Sequence, residues 1–151
     1  MKRQVVKVKF EGQVPKPVNA VFRAIIEPER MSQYFISRAS DPIAEGKTIT
    51  WFFDDVGGML DVVIKEVEAN KRIVFDWPAS GVTAQVEIVL EATDLNTTKV
   101  IITESGWPMD SEGVGRALEQ AMGWTDFFCC MKAFLLFGVD LRRGTKANVA
   151  V

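Results

Sequence analysis

The chain contains no histidine. That absence removes imidazole acid–base catalysis, histidine-activated nucleophiles and histidine metal ligation together. Cysteine occurs only twice, side by side at Cys129 and Cys130. Neighbours on a helix point about 100° apart. Zinc asks for four convergent Cys or His ligands, a disulfide between neighbours is strained, and the C-x-x-C redox spacing is missing. The plain reading is two small apolar helix residues, so no metal and no cofactor is expected. Tyrosine occurs once, at Tyr34. Any catalysis therefore falls to carboxylates, Lys, Arg, Tyr34 or a cysteine.

An excess of positive charge is also missing. Eighteen Lys and Arg stand against 20 Asp and Glu, for a net charge of −2. The basic residues are scattered, which argues against nucleic acid as a partner. The opening "MKRQVVKVKFEG" is interrupted by charge too often for the apolar region of a signal peptide. With no export signal and adjacent cysteines, the cytoplasm is the expected location. The most apolar stretch, "GWTDFFCCMKAFLLFG" at 123–138, carries Asp126 and Lys132 inside it. Each would cost about 2.5–3.5 kcal/mol in mid-bilayer, so no membrane span is expected.

What remains is ordinary globular material: 151 residues, 48% hydrophobic and 25% charged. This suits one domain spanning 1–151 with a real core, and 145–151 as a loose tail. Val6, Val8 and Phe10 alternate with Lys7, Lys9 and Glu11, which predicts a half-buried strand. Pro17 suits a first helical position, and Val18, Val21, Phe22, Ile25 and Ile26 share one helical face. Pro28 ends that helix, and "PERMSQYF" predicts a second short helix or turn. Strands are then expected at 48–55, 59–69, 72–78, 82–92 and 98–107, separated by turn residues such as Gly57-Gly58, Asn70-Lys71 and Asn96-Thr97.

One long helix closes the chain, from about 112 to between Gly138 and Gly144. Asp110, Ser111 and Glu112 make a negative N-terminus, Arg142 and Arg143 suit the last turn and Gly144 a stop. Short connections make the sheet antiparallel. Only the long helix is large enough to cover its apolar face. The predicted fold class is therefore α+β: a curved antiparallel sheet of about six or seven strands wrapped around a long C-terminal helix, with two short helices after the first strand.

On the helix, Ala117, Ala121, Trp124, Phe128, Met131 and Leu135 fall along one line, flanked by Leu118, Met122, Phe127, Phe134 and Leu136. This arc is wider than the roughly 100° a surface helix needs, so the helix is expected to be buried on most sides or to close a cavity. Gly123, Cys130 and Ala133 are placed on its outer face, where they would let two copies pack as a homodimer. Strand alternation supplies the opposing wall: Trp51, Phe53, Phe75, Trp77, Val86, Ile88 and Ile102. With Trp124, Phe128, Met131 and Leu135 these are the candidate ligand contacts. Plain core packing is the competing explanation of the same stripes. Trp107 and Met109, in "ESGWPMDSEG", form either a mouth or lid, or a hydrophobic plug on the helix start.

A polar group inside an apolar cavity would be the sign of chemistry. Glu104 shares the face of Val100 and Ile102, so an inward carboxylate with a raised pKa is one outcome. The plainer expectation puts it at the strand's exposed end. Asp61, Asp76 and Arg38 are weaker candidates.

Several segments together resemble the SRPBCC, or START-like helix-grip, superfamily. "KPVNAVFRAIIEPERMSQYF" (16–35) resembles its helix-and-turn opening, and "GGMLDVVIKEVEANKRIVFDW" (57–77) its central hairpin. "TTKVIITESGW" (97–107) resembles the last strand and "GWTDFFCCMKAFL" (123–135) the closing helix. More closely, the chain is similar to bacterial single-domain proteins named after the activator of the heat-shock-protein-90 ATPase. Family members often carry Trp near Tyr34 or Phe35, and Leu where this chain has Phe128 and cysteines, so pocket shape is not carried over. The resemblance implies a cavity between sheet and last helix for a small hydrophobic or amphipathic ligand. Some relatives are cyclases or hydratases, which keeps an enzyme using a buried carboxylate as the alternative, beside a protein-interaction module. The eukaryotic protein behind the name has a separate partner-binding domain for which this chain has no room, so chaperone activation is not expected.

Overall fold

The computed structural model describes residues 4–142. The chain runs β1 (Val5–Val14), α1 (Val18–Ile26), α2 (Pro28–Met31), β2 (Arg38–Ala39), β3 (Thr48–Phe53), β4 (Gly58–Glu68), β5 (Arg72–Trp77), β6 (Ala84–Asp94), β7 (Thr97–Pro108) and α3 (Ser111–Phe137). The seven strands form one antiparallel sheet in the order β1-β7-β6-β5-β4-β3-β2. Six of them match the predicted ones. The two-residue β2, paired with Phe52 and Trp51 of β3, is too short for any periodicity to announce.

Each element follows from its pattern. β7 buries Thr98, Val100, Ile102 and Glu104 in strict alternation. α1 buries Val21, Phe22, Ala24 and Ile25. Pro17 sits one place earlier than expected, as the extended residue before the first helical turn. The Asp110 side chain caps α3 by accepting from the Gly113 N–H at 2.8 Å, so the capping oxygen belongs to Asp110 rather than Ser111.

The far end of α3 departs from expectation. The helix stops at Phe137 because Gly138 turns left-handed, with φ of 65°, and its N–H closes on Phe134. Arg142 is therefore not in a last turn. It folds back instead, donating to the Phe35 carbonyl at 2.8 Å and to Asp126 at 3.0 Å. Arg143, Gly144 and the tail at 145–151 lie outside the described residues.

Two further corrections concern which side of α3 is covered. Leu118 and Met122 are 62% and 63% exposed, so the apolar arc is wider than the buried face. Cys130, placed on the outer face from the sequence, is buried, while Cys129 is exposed. The reason is rotation: the seam contacting β1 and β7 runs through Ala117, Gln120, Trp124, Phe127, Phe128 and Met131, and Cys130 lies next to Phe127 on it. The small-residue patch suggested for pairing of two copies therefore loses Cys130. No helix among the described residues is long and apolar enough to cross a membrane.

Two glycines of α3 make opposite predictions. A Cβ on Gly113 would stand 1.9 Å from the Pro108 carbonyl oxygen, which is backbone and cannot step aside. A Cβ on Gly115 meets nothing within 4 Å. Gly113→Ala is expected to lower the unfolding free energy by about 2 kcal/mol or more. Gly115→Ala should raise it by about 0.5–1 kcal/mol through helix propensity. Urea denaturation of the two variants checks both signs.

Candidate functional site

The interior between α3 and the sheet is aromatic. Trp51 on β3 meets Phe75 and Trp77 of β5 edge to face, with ring centroids 5.5 and 5.9 Å apart. Trp77 reaches the helix directly: its indole lies 5.5 Å from that of Trp124, at a tilt of 33°. Phe127 packs against Trp124 at 5.3 Å. Phe35, just after α2, then closes the group against Trp51, Phe53 and Phe127. Sheet and helix are thus joined ring to ring.

Beside these rings lies a carboxylate. Glu104 is 1% exposed. It therefore faces inward, and the expectation of an exposed strand end is corrected. β7 continues four residues beyond it, paired with β1 as far as Pro108 and with β6 as far as Ser105, so position 104 is not an end. Its register partners are Val8 and Val86, both apolar. Three neutral groups donate to it. Trp77 Nε1 reaches Oε2 at 2.8 Å, Trp124 Nε1 reaches Oε1 at 2.8 Å, and Gln120 Nε2 lies 3.1 and 3.2 Å from the two oxygens.

The local fold explains how they meet. Gln120 and Trp124 are one helical turn apart and point the same way. Trp77 is paired with Ala84 on β6, and this small residue lies between the indole and β7. A bulge at Gly106 governs the last residues of β7. Val6 pairs with Trp107 and Lys7 with Ser105, leaving Gly106 as the extra residue at φ of 144°. A Cβ there would sit 3.1 Å from the Ala84 backbone. The bulge shifts parity by one, so Glu104 and Trp107 both face inward although they lie three positions apart.

No cation compensates the Glu104 charge among these contacts. Burial pushes its pKa above the ordinary 4.5, against the pull of the bonds from Trp77, Trp124 and Gln120. A carboxylate held this way is costly to ionise and poised to act as acid, base or anchor.

The residues singled out from the sequence separate in space. Trp77 and Trp124 meet at the carboxylate, with Trp51 and Phe75 packed on Trp77 and Phe53 adjoining through Phe35. Val86, Ile88, Ile102 and Met131 are buried beneath or beside them, and Leu135 is half-buried against the same core. Phe128 goes elsewhere: it packs against Phe10 of β1, with ring centroids 4.9 Å apart at a tilt of 45°. Trp107 belongs to a separate small cluster with Ala84 and Ala117, its indole donating to Ser80 at 2.7 Å. That is the plug arrangement. Met109 is 55% exposed and covers nothing there, because the chain turns outward at Pro108 to start α3. Asp61 bonds Thr50, Asp76 pairs with Lys65, and Arg38 pairs with Asp54 over the Phe52 ring. None of these three reaches the interior site.

Sequence reasoning missed Gln120, Phe35 and Arg142. Gln120 had a signal, a polar residue one turn before Trp124 on the buried face. Phe35 and Arg142 had none, since 107 positions separate the guanidinium from the carbonyl it holds. Arg142 also lies over the Phe35 ring at 5.1 Å. Outside Phe35 is a cleft of about 260 Å³, lined by Ser32, Tyr34, Phe35, Ile36, Ser37, Asp55, Asp140 and Arg142.

An open antiparallel sheet folded about one long terminal helix, with the interior site between them, defines a helix-grip protein of the START-like type. The chain belongs to the family described as activator of Hsp90 ATPase homolog 1-like protein, which matches residues 15–135. Protein SSP2350 from Staphylococcus saprophyticus is similar in structure, with 31% identity, 91% of this chain and 96% of that one covered, and a TM-score of 0.80. DynU16, a protein of the dynemicin biosynthetic locus, is 25% identical over 95% of this chain and 49% of its own, with a TM-score of 0.77. The Aha1 dimer from Colwellia psychrerythraea shares the fold at 19% identity, covering 88% of this chain and 98% of that one, with a TM-score of 0.75. No curated protein matches the chain significantly.

The carboxylate predicts a pH dependence of definite sign. Because the folded pKa of Glu104 is raised, the folded state binds more protons than the unfolded one above pH 4.5. Its contribution is fully present below that value and is lost as pH rises through the folded pKa. Glu11 and Glu27, lowered by their Lys9 and Arg23 partners, act with the opposite sign. They cancel when wild type is compared with Glu104→Gln. The stability of wild type minus that of the variant is expected to fall over the range above about pH 4.5. Urea titrations across that range measure it, and a flat difference would contradict the assignment.

Proposed function

We propose that the protein binds a small hydrophobic or amphipathic molecule between the sheet and α3. The apolar body would lie among Trp51, Phe75, Trp77, Trp124 and Phe127, with Glu104 as the polar anchor. The observation that carries this reading is a buried, uncompensated carboxylate set among aromatic rings. A chain optimised only for stability does better with an apolar group there, since burying a charge without a counter-charge costs several kcal/mol. Family membership supports the reading through the fold, and DynU16, a protein of the dynemicin biosynthetic locus, extends it toward the small molecules of such a locus.

In the described state the rings touch, so binding requires Trp77 and Trp124 to part. The cleft outside Phe35 offers the way in. Phe35 separates it from Trp51 and Phe127, and Arg142 holds Phe35 by its carbonyl and its ring. Tyr34 and Phe35 therefore stand between this cleft and the aromatic interior.

A second reading, acid–base catalysis by Glu104, is favoured by the same raised pKa. The two differ in what Glu104→Gln does to a bound compound: a binding site holds it less tightly, whereas a catalytic one holds it and stops converting it.

Native mass spectrometry of gently purified protein is expected to show a retained small molecule that leaves on denaturation. Binding should also quench tryptophan fluorescence, since Trp77 and Trp124 flank the site. A bare protein mass, together with no rise in Tm across a panel of apolar compounds, would reject the proposal.

A further inference from the structure

We infer that the polar end of the ligand is a cation, an organic amine, and that it seats between the Trp77 and Trp124 indoles against Glu104. This rests on the binding reading just given and adds to it the charge of the ligand.

Three observations lead there. Among the described residues, none supplies a positive charge to Glu104. Its donors are two indoles and an amide, and its neighbours across the strands are Val8 and Val86. The nearby cations on and beyond α3 are engaged elsewhere: Arg116 with Glu112 and the Ser80 carbonyl, Arg142 with Asp126 and the Phe35 carbonyl. A ligand bringing its own positive charge would supply the missing partner inside a low-dielectric site, where such pairing counts most.

The second observation is the ring geometry. The two indoles lie 5.5 Å apart at a 33° tilt, with both N–H edges turned to the carboxylate. A group that parts them meets two ring faces and, at their edges, the Glu104 oxygens. Indole faces attract cations, and a desolvated site strengthens that attraction.

The third is acceptor capacity. An ionised carboxylate offers about four lone-pair positions. Three side chains use them, and Gln120 spreads one nitrogen over both oxygens at 3.1 and 3.2 Å. An ammonium replacing that long, shared contact gains a shorter charge-assisted bond. A fatty acid or other anion would instead face a like charge with no cation to relieve it, and an alcohol would leave the charge uncompensated.

The test uses three probes of one skeleton, naphthylmethylamine, naphthylmethanol and naphthoate, titrated calorimetrically into the intact protein near neutral pH. The amine is expected to bind at least about tenfold more tightly than the alcohol, and naphthoate more weakly still. Glu104→Gln, checked for folding by circular dichroism, should bring amine and alcohol to parity. Trp124→Phe keeps a ring but weakens the face that meets the cation, and should narrow the amine's advantage. If alcohol or acid binds as well as the amine, the inference is overturned and the binding reading stands. If none of the three binds, both fall. An amine preference unchanged in both variants would overturn the assignment to Glu104.

Discussion

The interior is organised by one carboxylate. Glu104 accepts from an indole on the sheet and from an indole and an amide on the helix, so three of its bonds tie β5, β7 and α3 together. Hydrogen bonds to a charged group contribute about 1.5–3 kcal/mol each, roughly twice the neutral kind. They are also directional where ring packing is not. The aromatic contacts supply area and the carboxylate supplies register. It fixes which edge of Trp77 and Trp124 points inward, and through Gln120 it fixes the rotation of α3 about its own axis.

That rotation has consequences along the whole helix. With Gln120 and Trp124 turned to Glu104, Phe127 falls toward Phe35 and Tyr34, Phe128 toward Phe10, and Met131 into the core. Leu118 and Met122 are then left facing solvent. An apolar arc read from spacing alone is centred wherever apolar side chains are densest. A buried carboxylate recentres it on the residues that can donate hydrogen bonds. Gln120, the polar residue on the buried face, is therefore a better marker of the true seam than either exposed apolar residue beside it.

The fold was legible because its signals are local and repeated. Alternation in β1, β6 and β7, the face of Val21, Phe22 and Ile25, and the turns at Gly57-Gly58 and Asn96-Thr97 each need only a few neighbouring residues to read. The aromatic members of the site, Trp51, Phe75, Trp77 and Trp124, were legible for the same reason, since parity places each on the inner face. Glu104 had the right parity as well, but parity does not say how far a strand continues. Its burial depends on β7 running on beyond it, beside β6 to Ser105 and beside β1 to Pro108. The Gly106 bulge was hidden too, although Glu104 and Trp107 lie three apart and an unbroken strand cannot bury both. Phe35 and Arg142 were beyond reach, because their contact joins segments with no sequence relation.

The arrangement also separates two jobs that neighbouring residues could have shared. Trp107 and Trp124 are both buried indoles, one just before α3 and one in its middle, yet only Trp124 meets Glu104. Trp107 donates to Ser80, whose carbonyl in turn accepts from Arg116. This second set of bonds pins the 78–83 connection to the first turns of α3 and needs nothing from the interior site. The first turns of the helix are therefore anchored independently of Trp77 and Trp124. Two residues past Trp124, Asp126 ties the middle of α3 through Arg142 to Phe35. A helix anchored on both sides of its bonds to a single carboxylate can let two indoles part without losing its place on the sheet. That is the mechanical condition a site of this kind has to meet, and it is met by residues outside the site.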